Sequence, residues 1–249
     1  MKLIFLGTNG WYDTVTGNTI SILLKTDKYN IIFDAGTGIY KLDRYVSFDE
    51  NTDLYLFLSH FHLDHIIGYH TICKFSGFRT LKIFGPEGTK KCFSILAEKP
   101  FSVPLRNLPY KVELHELPEE SSEVPFNIKT LPMLHADLTL GYRVEIEDRI
   151  ITYCPDTGYC ENALTLSKNS DILMAECSHK PGQYNEAWPH LNPETAATIA
   201  KEGGVKKLFL VHMNPMLYET YKDREYAASV AGEIFPGTVA AKDDMEIEL

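Results

Sequence analysis

The stretch "LFLSHFHLDHIIGYH", from Leu56 to His70, gathers four of the chain's nine histidines at the end of an apolar run. Within it, His60, His62, Asp64 and His65 form the pattern H-x-H-x-D-H. In extended backbone, side chains at positions i and i+2 point the same way, so His60 and His62 can hold one metal ion. Asp64 and His65 follow the turn and can hold a second ion. Four ligand-type residues in six positions favour a metal site over a strand end with solvated histidines.

The composition limits the kinds of partner. The chain has 249 residues, of which 44% are hydrophobic, and its formal net charge is −10. Lysines and arginines are spread thinly, whereas neutralising the phosphates of a nucleic acid needs clustered cations. We therefore expect no extended nucleic-acid partner, although a small anion held by a metal stays compatible with this charge.

The cysteines and the apolar runs indicate a compartment. The five cysteines are odd in number and include no C-x-x-C pair, which fits a reduced cytoplasm better than a disulfide scaffold. The run "MKLIFLGTNG" is too short for a signal peptide, and no stretch approaches a membrane span. We expect a cytoplasmic protein without a membrane partner.

Short strand-like runs alternate with helical patterns along the chain. The clearest helix is "NPETAATIAKEGG", with Asn192 as a cap and Pro193 in the first turn. Residues Pro100 to Pro132 are rich in proline and predict edge strands and loops. The alternation predicts an α/β or α+β protein with mostly buried sheets, and the lack of a linker predicts one domain over residues 1–249.

Further candidate ligands stand at strand ends or in loops later in the chain. They are His135 in "PMLHADLTLGYR", Asp156 in "CPDTGY" and His212 in "FLVHMNP". The runs "LYLFLSH" and "KLFLVH" are similar strands that each end in a histidine, which hints at two similar halves. One aspartate can bridge two cations and reduce their repulsion, so Asp156 suits a two-metal site.

With these motifs the chain is identified as a member of the metallo-β-lactamase superfamily, most similar to its ribonuclease Z and phosphodiesterase branch. The specific signature is "LSHFHLDHIIG", and the blocks that extend the resemblance are "LIFLGTNG", "IIFDAGTG", "LKIFGPEGTKK", "GYRVEI", "CPDTGYCENALTLSKNSDILMAE" and "HLNPETAATIAKEGGVKKLFLVHMNP". The resemblance implies a four-layer αβ/βα sandwich of the metallo-β-lactamase type.

The resemblance also implies a complete set of metal ligands for two divalent ions. Those of the first ion would be His60, His62 and His135, those of the second Asp64, His65 and His212, with Asp156 as the bridge. Zn²⁺ is the first expectation, with Mn or Fe as alternatives for such ligands. Asp64 is counted among the catalytic residues as well, and a metal-bound hydroxide would attack the substrate.

A proton donor for the leaving group comes from the same resemblance. His190 matches the histidine that precedes a helix in the family pattern, and Glu176 in "MAECSH" matches its partner glutamate. We expect His190 to act as general acid and Glu176 to orient it. Ala175 stands where the ribonuclease Z block has a histidine, so the choice of donor between His179 and His190 stays open.

The substrate is predicted from what the chain lacks. Bacterial ribonuclease Z often carries a long arm that clamps tRNA, but residues Val144 to Cys154 fill that interval with one tight hairpin. We expect a phosphodiesterase whose small-molecule partner is a small phosphodiester, such as a cyclic nucleotide or cyclic phosphate. The alternatives are a tRNA 3′-processing endonuclease, a lactonase or thioesterase of the same fold, and a metal-binding sensor without turnover. The family also allows a homodimer.

Three residues near these motifs keep more than one interpretation. Asp34 in "FDAGTG" either hydrogen-bonds a ligand histidine or caps the glycine turn. Trp188 and Tyr184 precede His190 and either line a pocket or stack on a base, or they pack within their loop.

Overall fold

The computed structural model describes residues 1–249, which divide into two compact units. The first unit comprises Met1–Gly7, Asn18–Glu123 and Asp243–Leu249, and the second comprises Thr8–Gly17 and Val124–Lys242. Each unit contains one mixed sheet together with helices, which confirms the predicted α/β class. The expectation of one domain over residues 1–249 stays a prediction.

The first unit is built on a seven-stranded sheet. Its strands are β1 (Lys2–Gly7), β2 (Ser21–Lys25), β3 (Asn30–Phe33), β4 (Asp53–Phe57), β5 (Thr80–Gly85), β6 (Lys111–Glu116) and β13 (Met245–Glu248). Their order is β13-β1-β2-β3-β4-β5-β6, antiparallel from β13 to β3 and parallel from β3 to β6. Parallel strands are buried on both faces, which explains the continuous apolar run that leads to His60.

The helices of the first unit are short. They are α1 (Leu63–Ile66) and α2 (Thr89–Leu96), with 3₁₀ segments at Thr37–Arg44, Ile67–Lys74, Leu105–Asn107 and Ser121–Glu123. Their apolar side chains join those of the sheet in one core, in which Leu56 and Ile83 are fully buried. This packing makes β4 a rigid support for the residues that follow it.

The second unit is built on a six-stranded sheet. Its strands are β7 (Asn127–Pro132), β8 (Leu140–Ile146), β9 (Arg149–Cys154), β10 (Ile172–Glu176), β11 (Lys207–Val211) and β12 (Thr238–Ala240). Their order is β12-β11-β10-β9-β8-β7, parallel from β12 to β9 and antiparallel from β9 to β7. Because β6 and β7 each form a sheet edge, the prediction of edge strands within Pro100 to Pro132 is confirmed.

Three helices pack in the second unit, namely α3 (Glu161–Ser167), α4 (Pro193–Glu202) and α5 (Tyr221–Ile234). The predicted start of α4 is confirmed, since the Asn192 side chain accepts the N–H of Thr195 in a capping box. No pattern predicted α5, because its buried face consists of Arg224, Ala227 and Ala231 instead of large apolar residues.

The predicted hairpin between β8 and β9 is confirmed. Ile146 pairs with Arg149, and the two turn residues Glu147 and Asp148 have φ angles of 48° and 58°. Two positive φ angles in a two-residue connection match the right-handed twist of the flanking strands. The connection is therefore as short as a hairpin allows, with no inserted arm.

The similarity between "LYLFLSH" and "KLFLVH" has a counterpart in the topology. Both β4 and β11 are internal parallel strands of their own sheets. His60 follows the end of β4 by three residues, and His212 directly follows β11. Each unit thus carries a histidine at the carboxyl end of a buried parallel strand, which is where α/β sheets place their ligands.

Candidate metal centre

The H-x-H-x-D-H residues lie together at the carboxyl end of β4 in the first unit. The ring centroid of His60 lies 4.4 Å from that of His62 and 4.1 Å from that of His65. Asp64 Oδ2 lies 3.6 Å from His65 Nε2. The donor atoms of His60 and His62 lie within 4.8 Å of each other, as do those of Asp64 and His65. The two predicted pairs are therefore each compact enough to share an ion.

Asp34 orients two of these histidines through a buried network. Its Oδ2 accepts the Nδ1–H of His65 at 2.8 Å and the hydroxyl of Ser59 at 2.9 Å. The Ser59 oxygen, whose proton is used, accepts the Nδ1–H of His60 at 3.0 Å. Both imidazoles then keep the Nε2 lone pair for a further partner, as a metal-binding histidine requires.

This network decides between the two interpretations of Asp34. The residue has a φ angle of 58°, and its Oδ1 also accepts the backbone N–H of Ser59 at 2.7 Å. The left-handed region is uncommon for residues other than glycine, although aspartate enters it more readily than most. Its carboxylate is fully buried and contacts a predicted ligand, so Asp34 is a support for His65.

Three predicted ligands converge in the second unit. Asp156 Oδ1 lies 3.2 Å from His212 Nε2, and Asp156 Oδ2 lies 3.9 Å from His135 Nε2. All three side chains are at most 5% exposed. Asp156 thus turns one oxygen towards each histidine, which is the geometry expected of a carboxylate that bridges two ions.

His212 is held in an unusual backbone conformation. Its φ angle is 51°, and the Ser178 hydroxyl donates to its carbonyl at 2.9 Å. The same Ser178 oxygen accepts the Nδ1–H of His212 at 3.1 Å, so Nε2 faces Asp156 with its lone pair. On another side of the ring, a Cβ placed on Gly10 would lie 2.5 Å from His212 Cε1. Ser178 and Gly10 together determine where this imidazole points.

His190 and Glu176 form a short hydrogen bond. His190 Nδ1 lies 2.5 Å from Glu176 Oε1. Glu176 is fully buried at the end of β10 and also accepts the backbone N–H groups of Thr157, at 3.0 Å, and Ser178, at 2.8 Å. A carboxylate with these donors is fixed in position, so it fixes the imidazole of His190 as well.

The pair lies beside the ligands of the second unit. The His190 ring centroid is 5.4 Å from that of His135 and 6.3 Å from that of His212. Since Nδ1–H of His190 is used by Glu176, Nε2 is the nitrogen that can transfer a proton. The structure therefore brings the predicted acid, its partner and these two ligands into one cluster.

His179 has a different environment from His190. It is 5% exposed, its Nε2–H donates to the carbonyl of Trp188 at 3.3 Å, and burial lowers its pKa. A neutral histidine whose ring N–H is occupied by a backbone carbonyl is poorly suited to donate a proton to substrate. Of the two candidates left open by the sequence, the geometry favours His190.

The donor set fits divalent metal ions. Each unit supplies imidazole nitrogens and carboxylate oxygens whose donor atoms lie close together, and the carboxylates neutralise part of a cation's charge. Within the first unit Asp34 and Ser59 orient rings for coordination, and within the second unit Ser178 does so. Hydrogen bonds behind ligand histidines are a regular feature of metal sites in proteins.

Several residues of the site were missed by sequence reasoning. Ser59, Ser178, Thr157 and Gly10 orient site side chains, but small polar residues and glycines next to a motif have many other roles. The available signal was adjacency, because Ser59 precedes His60 and Thr157 follows Asp156. His70 is exposed and donates its Nδ1–H to the carbonyl of Ile67, in agreement with its omission from the ligand set.

Two cysteines near the site in sequence belong to the core. Cys154 and Cys177 are fully buried among apolar side chains, and burial raises the pKa of Cys154 to about 12. A thiol in that environment stays protonated and is a poor metal ligand.

None of the helices combines the length and apolar character needed to cross a bilayer.

The fold and the site agree with the comparison to known families. The sequence profile described as "Beta-lactamase superfamily domain" matches residues 29–213. This match covers most of the chain, so the chain belongs to the β-lactamase superfamily and, by its fold, to the metallo-β-lactamase proteins within it. The class predicted from "LSHFHLDHIIG" is confirmed.

Individual relatives define the branch. A ribonuclease Z of Methanothermobacter thermautotrophicus is 24% identical, with 100% of this chain and 97% of the relative covered. The probable metallo-hydrolase YhfI of Bacillus subtilis is 28% identical over 86% of this chain and 87% of the relative. The crystal structure of YhfI superposes with a TM-score of 0.78, at 25% identity and 99% coverage of both chains.

A human structure shows the same fold. The short form of human tRNase Z superposes with a TM-score of 0.76 at 21% identity, covering 100% of this chain and 99% of the human chain. Together these relatives place the chain among the metallo-hydrolases of the ribonuclease Z and phosphodiesterase branch.

Proposed function

We propose that this protein is a dinuclear metal-dependent phosphodiesterase that hydrolyses a small, cyclic phosphodiester. The observation that carries this function is the His190–Glu176 pair, 2.5 Å apart, next to the predicted ligands His135 and His212. Ester hydrolysis needs a proton for the leaving oxygen, and this pair can supply one.

The proposed metal ligands are those of the sequence prediction. His60, His62 and His135 would hold one ion, Asp64, His65 and His212 the other, and Asp156 would bridge them. The compact donor groups within each unit support this set, as does the family match, which runs across residues of both units. When bound, divalent ions of this kind lower the pKa of a coordinated water to about 7 and polarise a phosphoryl oxygen.

The chemical step is a hydrolysis without a redox change. Water adds to phosphorus and gives up one proton to the solvent, one P–O ester bond breaks, and the leaving oxygen takes a proton from Nε2 of His190, which regains a proton from the solvent before the next turnover. Glu176 keeps the imidazole oriented and stabilises the positive charge that His190 carries before the transfer. For a cyclic substrate, one phosphomonoester that carries a new hydroxyl group is the only product.

Three features support a small substrate. The connection between β8 and β9 is a two-residue turn, Glu147 and Asp148, with no arm. The alignment with the archaeal ribonuclease Z extends over 305 residues, so that relative carries segments that this 249-residue chain lacks. The net charge of −10 adds to this, since it opposes binding of a long polyanion.

A hydrolysis screen with metal analysis tests the function. The protein is loaded with Zn²⁺ or Mn²⁺, its metal content is measured, and nucleoside 2′,3′-cyclic phosphates, bis(p-nitrophenyl) phosphate, a lactone and a thioester are offered. We expect about two ions per chain and turnover of the phosphodiesters. Turnover of the lactone or thioester alone would replace this function by a lactonase or thioesterase.

The second candidate is tRNA 3′-end processing, which the ribonuclease Z relatives favour because their alignment spans almost both full lengths. A precursor tRNA offered beside a 2′,3′-cyclic nucleotide separates the two functions. We expect cleavage of the cyclic nucleotide and no specific cut at the tRNA 3′ end.

We also propose that the protein is cytoplasmic and forms a homodimer. Measurement of its molecular size in solution tests the homodimer.

A further inference from the structure

Trp188 is a large apolar side chain left half exposed beside the candidate acid. Trp188 is 51% exposed. Its ring centroid lies 5.8 Å from that of His190 and 6.2 Å from that of His135. An indole gains free energy when its face is covered, and an exposed one next to polar reacting groups is typical of a ligand contact.

The backbone of Trp188 is fastened from several sides. Buried His179 donates its Nε2–H to the carbonyl of Trp188, and the N–H of Trp188 donates to the carbonyl of Asn185, both at 3.3 Å. The Asn192 side chain at the start of α4 donates to the carbonyl of Gln183 at 2.9 Å, which ties this loop to the helix. An aromatic surface that is held before binding loses less conformational entropy when a ligand covers it.

We infer that Trp188 is a specificity-determining residue that stacks on the nucleobase of a small nucleoside phosphodiester, an assignment that rests on the function proposed above. His190 lies on one side of the ring and is assigned to the leaving oxygen. The two ring centroids lie only 5.8 Å apart, so a single nucleoside phosphate is large enough to contact both side chains. Every nucleobase has a face that can stack, so Trp188 selects for the presence of a base more than for its identity.

Other exposed aromatic residues do not share this environment. Tyr226 is 62% exposed on α5, and Tyr184 is 74% exposed in the loop before Trp188. Neither makes a ring contact with His135 or His190 among the aromatic contacts of the structure, whereas Trp188 contacts both. Tyr226 is therefore a suitable control for the general effect of removing an exposed aromatic side chain.

The first test compares two cyclic phosphodiesters in the metal-loaded protein. Adenosine 2′,3′-cyclic phosphate carries a base, and glycerol 1,2-cyclic phosphate does not. Trp188→Ala should raise KM for the adenosine substrate about tenfold to a hundredfold, the range of base–aromatic stacking, and leave the glycerol substrate unchanged. Trp188→Phe should recover most of the loss, and Tyr226→Ala should behave as the unaltered protein.

The second test reads binding without turnover. The chain has two tryptophans, so Trp11→Phe leaves Trp188 as the only indole fluorophore. Titration with adenosine 3′-monophosphate should quench this fluorescence, whereas glycerol phosphate should not. Because quenching needs no hydrolysis, it also decides the matter if Trp188→Ala fails to fold.

The results of these tests distinguish an incorrect role for Trp188 from an incorrect phosphodiesterase function. If both cyclic phosphodiesters are cleaved equally well and Trp188→Ala changes neither KM, the assignment of Trp188 is wrong while the phosphodiesterase function stands. If the metal-loaded protein cleaves neither, the proposed function fails. Absence of quenching by the nucleotide overturns the stacking contact in either case.

Discussion

Gly10 leaves no room for a side chain against the imidazole of His212. A Cβ at this position would lie 2.5 Å from Cε1 and 2.8 Å from Nδ1 and Nε2 of that ring. A Cβ atom essentially never approaches a neighbouring atom this closely, so the loop around Gly10 and the proposed ligand His212 are fitted to each other. The N–H of Gly10 donates to the carbonyl of Met213, and the N–H of Met213 donates to the carbonyl of Thr8, both at 3.0 Å, which fastens this loop beside the ligand.

Gly10→Ala should therefore weaken metal binding, because His212 must turn away from Asp156. We expect an affinity loss of about tenfold to a hundredfold for one of two ions, the size found when ligand orientation is lost. Competition with a chromophoric chelator measures it. Gly232→Ala is the matched control, since a Cβ there meets nothing within 4 Å and the last turn of α5 accepts alanine at least as well as glycine. Equal metal affinity in the two variants would contradict the inference that Gly10 determines the position of His212.

Asp34→Asn should lower metal affinity through His65. The amide keeps the left-handed backbone that Asp34 adopts but removes the negative charge that accepts the Nδ1–H of His65 at 2.8 Å. We expect about a tenfold to hundredfold loss in affinity with little change in fold. Circular dichroism and chelator competition check both parts. Asp43→Asn, at a surface ion pair with Lys74, should leave the affinity as it is.

Arg224→Met should destabilise the chain and loosen the loop around Gly10. Arg224 is fully buried on α5 and donates to Thr8 at 2.9 Å, to Thr16 at 3.0 Å and to Asn9. Its loss leaves buried acceptors without their donor, which costs about 2–4 kcal/mol in free energy of unfolding. Urea unfolding with the metal removed measures this. Lys222→Met, at an exposed position of the same helix, should change the midpoint little.

The free energy of unfolding should fall at acidic pH, partly because of His179. Burial lowers its pKa from the ordinary value of 6.5, so the folded state favours the neutral ring while the unfolded chain takes up a proton near 6.5. The stability that His179 contributes is complete above pH 6.5 and is lost as the pH falls through the lowered pKa. Urea midpoints of the metal-free protein between pH 8 and 5 should decline less for His179→Gln than for the unaltered chain.

The control for this pH dependence is His70→Gln. His70 is exposed, so its removal should leave the decline unchanged. A decline that is identical in His179→Gln and in the unaltered protein would assign the acid sensitivity to other groups.

The fold was predictable where local pattern and burial agree. Parallel strands such as β4 read as apolar runs because both faces are covered, and α4 was readable from Asn192 and Pro193 at its start. The helix α5 was not readable, because it buries a charged residue, Arg224, whose partners Thr8 and Asn9 stand more than 200 residues away in sequence.

The ligand types were determined by the sequence, because a metal site needs imidazole and carboxylate groups, and the spacing of H-x-H-x-D-H has few other physical uses. What only the tertiary structure decided is how those groups are held. Asp34 behind His65, Glu176 behind His190, and Gly10 against His212 are contacts between residues 14 to 202 positions apart. A hydrogen bond or a close approach of this kind depends on which chain segments the sheets bring side by side, and no local pattern records that.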